Sequence, residues 1–177
     1  MITPIRRIVT GHDENGRSIF VSDAAAKSVY SPQGQPNVGM TDLWLQHTMP
    51  ANNTGNEDTA PEQVTLLPPT NGSVCRVVEF PPDAERNFAA MGEHFQGMSA
   101  SDVLAKEGVR HPAFHKTNSL DYIFILKGEI WALVDEDEVL MKAGDCLIQR
   151  GTSHAWSNRS NEPCLMAAIL IDAHPAP

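Results

Sequence analysis

A chain of 177 residues is long enough to bury one sizeable core, so a single domain is expected. Its net charge of −9 argues against a nucleic-acid partner, because phosphate recognition needs clustered Lys and Arg. The longest apolar runs, residues 123–126 and 165–171, fall far short of the roughly 20 residues that span a bilayer, so no membrane partner is expected. The opening Met1-Ile2-Thr3-Pro4-Ile5-Arg6-Arg7 lacks the apolar core of a signal peptide, which points to a cytoplasmic location. Cys75, Cys146 and Cys164 are an odd set without paired spacing, each in an apolar, strand-like stretch. Buried thiols in a reducing compartment are therefore expected, rather than disulfides or a thiolate metal site.

In chain order, residues 6–10 and 18–21 flank Gly11-His12-Asp13-Glu14-Asn15-Gly16, and the Asn-Gly pair predicts an opening β-hairpin. Residues 31–39 read as a Pro/Gly loop. Residues 41–48 predict a strand with Leu43, Leu45 and His47 on one face and Trp44 on the other. The polar stretch 50–62 predicts a mobile loop, and residues 74–80 a β-branched strand stopped by Pro81-Pro82. Helical character is confined to residues 83–111. There Ser99 or Ser101 is the expected cap of a short helix through Val103, Leu104 and Lys106, ended by Gly108. Beyond Asp121, short strands alternate with turns at 135–137, 143–144, 150–151 and 160–161, the pattern of an all-β sandwich or barrel. Residues 123–126 and 165–171 are apolar on both faces, so the amino-terminal strands or a second subunit must cover their outer side.

The chemistry gathers between His115 and Asn158. On an extended strand His115 and Thr117 leave the same face. Asn118-Ser119 reads as a turn that returns the chain through Asp121, Ile123 and Ile125, bringing the Asp121 carboxylate back beside the His115 imidazole. Further on, Gly144 and Gly151 punctuate a short apolar strand, and His154 opens another on which Trp156 and Asn158 share its face. His12, His47, His94 and His174 belong to no motif, and surface or packing roles are expected for them. His111, four residues before His115, is a weaker candidate because Pro112 opposes a helix that would align the two.

With those residues in place, the stretch resembles the two motifs of the cupin family. His115, Asp121 and Gly128 fall on the first motif, and Gly144, Gly151, His154 and Asn158 on the second. Thr117 stands where the motif has its second His, Asp121 where it usually has Glu, and Gln149 where it has Pro. The resemblance implies an all-β, jelly-roll-like double-stranded β-helix forming one cupin domain over residues 1–177. Residues 1–82 would be an amino-terminal β extension, 83–111 a partly helical connection and 112–172 the motif barrel. It also implies a metal site of His115, Asp121 and His154, a 2-His-1-carboxylate face suited to a divalent Fe, Mn, Ni or Zn ion. Thr117, Gln149 and Trp156 would line the substrate pocket beside it. The bland alternative is a hydrogen-bonded polar cluster with no metal. Cupins of aromatic and polyketide pathways are similar in the first motif, which implies an oxidoreductase or decarboxylase acting on an organic acid or phenol. The other class is a non-catalytic small-molecule-binding module or sensor, since one scaffold hosts many functions. A homodimer is implied as well.

Overall fold

A computed structural model describes residues 2–33, 37–105 and 107–176. Two strands, β1 (Arg6–His12) and β2 (Ser18–Ala25), pair only with each other as the predicted hairpin. Its turn is held by the Asp13 carboxylate, which accepts from the backbone N–H groups of Asn15 and Arg17 at 2.9 Å each, and Gly16 supplies the positive φ of 73°. β3 (Ser28–Tyr30), β4 (Gly39–Gln46) and β5 (Ser73–Phe80) begin the main sheet, and β6 (Ser119–Lys127), β9 (Cys146–Arg150) and β11 (Cys164–Asp172) complete it in the order β3-β4-β5-β11-β6-β9. Facing it is a smaller sheet in which β7 (Glu129–Val134) lies between β10 (His154–Ser157) and β8 (Glu138–Lys142).

The core lies between these two sheets. Alternation along β6 and β11 sends Ile123, Ile125, Met166, Ala168 and Leu170 inward, where they meet Ile130, Ala132, Met141 and Trp156 from the smaller sheet. Ile130 is completely enclosed, and burial of a side chain of that size contributes about 1.5–3 kcal/mol. The tight link between β6 and β7 requires Gly128, whose φ is 75° and whose added Cβ would lie 2.7 Å from the Pro163 carbonyl oxygen.

One end of the barrel is closed by α1 (Met91–Gly97), the one α-helix among the described residues. Met91, His94 and Phe95 form its buried stripe, and Met91 and Phe95 pack with Met40, Val64, Leu66, Val78 and Met98 in a second core. This places the helix earlier than the sequence suggests. Ser99 is not an N-cap but the left-handed residue that terminates α1, with φ of 57°. Around it the Ser99 N–H donates to the Gln96 carbonyl and the Ala100 N–H to the Phe95 carbonyl, a Schellman closure. Val103 and Leu104 follow as a turn and a bridge, and Lys106 lies outside the described residues, as do residues 34–36 of the Pro/Gly loop.

Two further expectations change. A register shift between Asp42 and Trp44 breaks the alternation of β4, so Leu43 does not share the buried environment of Leu45. All three cysteines are free, but only Cys164 is buried; Cys75 is intermediate and Cys146 exposed. Cys146 pairs with Phe124 on the outward side of the edge strand β9. That outer face remains open, since Phe124 is 41%, Ile148 50% and Leu126 51% exposed. The hairpin does not cover it. It is tied instead to the β4 side, through Arg7 to the Leu43 carbonyl and Asp58, and through His12 and Asn56. Among the described residues no helix is long and apolar enough to cross a membrane.

Candidate functional site

The centre of the site is a main-chain contact. The His115 N–H donates to the His154 carbonyl and the His154 N–H to the His115 carbonyl, both at 2.9 Å, so the segment before β6 is bridged directly to β10. This differs from the expected hairpin. Ser119 opens β6 rather than forming a turn, so Asp121 is not placed opposite His115; its cross-strand neighbours are Gln149 and Leu170. The bridge brings the two imidazoles together instead, with ring centroids 4.3 Å apart.

Each ring has a fixed tautomer. Nδ1 of His115 lies 2.9 Å from the Ala113 carbonyl oxygen and Nδ1 of His154 lies 2.9 Å from that of Thr152. A carbonyl only accepts, so each Nδ1 carries the proton and each Nε2 is left with its lone pair. Burial holds both rings neutral: it lowers the His115 pKa, and burial reinforced by the neighbouring His115 lowers His154 to about 3. Neutral imidazoles with Nδ1 held by a carbonyl are oriented as metal-binding histidines commonly are.

His115, Thr117, Asp121, His154 and Trp156 all line one cavity of about 80 Å³, room for several water molecules. Asp121 is 4% exposed, and its Oδ1 has no hydrogen-bond partner. Burial raises its pKa to about 6, against the opposing pulls of Ser119 and Arg76. Thr117 is occupied otherwise, accepting a hydrogen bond from the Ser119 hydroxyl at 3.0 Å. Trp156 stands edge-on to His154 with centroids 5.8 Å apart, an apolar wall beside the imidazoles. Gln149 is buried but faces an adjoining pocket that shares His154 and Trp156, and its amide bonds to Thr152. Asn158 lies outside the cavity: its amide donates to the Phe80 and Glu162 carbonyls, and its N–H to Asp83. His111 is likewise used elsewhere, its Nδ1 accepting from the Ala113 N–H and its Nε2 lying 3.9 Å from Asp83.

Sequence reasoning missed two contributors. His94, expected to have a surface or packing role, lines the cavity from α1 with its Nδ1 buried and unpartnered. Its place beside Met91 and Phe95, at helical spacing, was the available signal. Arg76 lies in the cavity wall with its side chain 2% exposed, its Nε 3.0 Å from Asp42 Oδ1 and its terminal nitrogens on the Leu66 and Thr65 carbonyls.

The donor set fits a transition-metal ion in its chemistry: two imidazole lone pairs and one carboxylate oxygen without a partner, on one cavity. In their present positions, no three His, Cys, Asp or Glu side chains among the described residues gather closely enough to hold one.

Fold and motif point to a barrel of a known class: residues 102–171, which hold His115, Asp121 and His154, match the family model of the Cupin domain. Over nearly its whole length the chain is similar to proteins named for biosynthesis clusters and to proteins named as cupin-domain-containing oxidoreductases. It is 27% identical to phomopsin biosynthesis cluster protein C' of Diaporthe leptostromiformis, over 96% of this chain and 79% of that protein. It is 26% identical to the cupin-domain-containing oxidoreductase fogC of Aspergillus ruber, over 98% and 75%. Identity to the cupin-domain-containing oxidoreductase virC of Hypocrea virens is also 26%, over 96% and 76%.

Proposed function

We propose that this protein is a metal-dependent oxidoreductase of small-molecule biosynthesis, with His115, His154 and Asp121 holding one divalent Fe, Mn, Ni or Zn ion. The observation that carries the reading is the paired imidazoles, each fixed through Nδ1 so that Nε2 is left to donate. The relatives named as oxidoreductases support the reaction class. The bound ion would supply Lewis-acid or redox chemistry toward a substrate oxygen. The chain's own residues do the rest: Trp156 and its apolar neighbours wall the site, the two histidines stay neutral, and Asp121 retains a proton to higher pH than an ordinary carboxyl.

The test is metal analysis of protein purified without a histidine tag, with manganese, iron, nickel and zinc offered in turn. About one ion per chain is expected for wild type and none for His154→Ala, which should stay folded at a cost of about 1–3 kcal/mol. Failure of every metal to bind wild type stoichiometrically sinks the proposal. It would leave the second reading, a ligand-binding barrel without turnover.

We also propose that the chain forms a homodimer through the outer face of the six-stranded sheet. Phe124, Leu126 and Ile148 form an apolar surface there, and the hairpin's Phe20, 75% exposed, offers a second.

A further inference from the structure

The wall of the cavity combines unbranched apolar side chains with fixed polar ones. Met40, Met91, Met98 and Met166 all line it, four of the chain's seven methionines. An unbranched thioether side chain repacks easily around different shapes, so this part of the wall can yield to a ligand larger than the resting cavity. The fixed part is polar and incompletely satisfied. His94 Nδ1, Arg86 Nε and Asp121 Oδ1 are buried without partners, and all three residues line the same cavity. His94 is 7% exposed and lines the cavity together with Arg86.

Charge restricts the ligand further. The Arg76 guanidinium faces Asp42 at 3.0 Å, and that of Arg86 faces Asp83 at 3.1 Å, donates to the Trp156 carbonyl and stacks 4.6 Å over Phe88. Each cation already has its own carboxylate, while Asp121 adds an acidic group with none. An anionic ligand would enter a site with no uncommitted positive charge, whereas a hydroxyl or carbonyl oxygen would supply the missing hydrogen bonds.

We propose that the cavity binds neutral, largely apolar compounds bearing oxygen substituents, and that His94 is the residue that recognises one of those oxygens. This rests on the same site as the proposed function but needs neither a metal nor turnover. The test uses metal-free protein in the presence of a chelator, labelled with ¹³C at the methionine methyl groups, and three single-ring probes: resorcinol, toluene and benzoate.

Resorcinol at millimolar concentration is expected to shift the methyl signals of Met40, Met91, Met98 and Met166 and to leave the exposed Met49 in place. Benzoate should bind more weakly than resorcinol. His94→Phe should weaken resorcinol about tenfold, the loss of one hydrogen bond, without weakening toluene, and His94→Gln should restore part of the difference. Equal losses for resorcinol and toluene would reduce His94 to a packing role and overturn the assignment. So would benzoate binding as tightly as resorcinol, shifts confined to methionines outside the cavity, or no shift with any probe. A metal-free protein that behaves as expected but never takes up metal would retain the ligand assignment and discard the metal enzyme.

Discussion

Asp42 on β4 and Asp121 on β6 are both buried carboxyls of one six-stranded sheet, 1% and 4% exposed. Burial raises the pKa of each, but the two are neutralised differently. Asp42 is met by Arg76, which lies in contact with it and whose remaining donors are taken by carbonyls of residues 65 and 66. Asp121 has no contacting cation and one oxygen without a partner, in a cavity beside two neutral imidazoles. A polar group that serves the fold carries its complement with it. One left incomplete in a cavity costs stability and is available to a ligand.

That contrast is open to direct attack. Arg76→Met strands the Asp42 charge in the core and should cost about 3–5 kcal/mol in urea unfolding, while Asp121→Asn should cost under about 1 kcal/mol because it breaks no pair. Similar losses from the two substitutions would end the distinction.

Acid provides a finer test through His94. Burial first, then the charges of Arg86 and His115, lower its pKa from 6.5 to about 4. The unfolded chain therefore takes up the proton before the folded one. The folded state loses stability as pH falls from about 6.5 toward 4, by about 2 kcal/mol between pH 7.5 and 5. Asp121, with a raised pKa, works in the opposite direction between about 4 and 6, so the informative quantity is the difference between proteins. His94→Phe should show a shallower loss than wild type in unfolding curves across that range, and parallel losses would refute the assignment.

The outer face of the same sheet extends the comparison to apolar groups. Phe124→Glu should convert a dimer to monomer in sedimentation experiments with little change in the monomer's own stability. A wild-type monomer would remove the dimer proposal. The smallest perturbation is chemical. Cys146 should react within seconds with a thiol reagent in native protein, whereas Cys164, enclosed and with its pKa pushed up to about 12, should wait for unfolding.

Much of the sheet was legible because strand alternation is local. The inward Ile123 and Ile125, the Asn15-Gly16 turn and the positive φ of Gly128 follow from residues close in sequence. The same parity would have exposed Cys146, two positions from the outward Ile148, had the face rather than the hydrophobicity of the stretch been weighed. Helix α1 was hidden for another reason. Met-Gly-Glu-His-Phe-Gln-Gly has poor intrinsic helicity, and its two glycines are tolerated because Met91 and Phe95 are anchored in the second core. His115, Thr117, Asp121, His154 and Trp156 line one cavity, but how the two histidines pair was not legible. His115 meets His154 through a ladder between residues 39 apart, which no local pattern encodes.

That ladder also separates the position of the site from its chemistry. Because the spacing of residues 115 and 154 is held by reciprocal amide bonds, replacing either imidazole leaves the attachment points where they were. The barrel thus behaves as a socket with interchangeable contacts. A chain built this way can acquire or surrender a ligand at these two positions by single substitutions, without first having to find a new backbone.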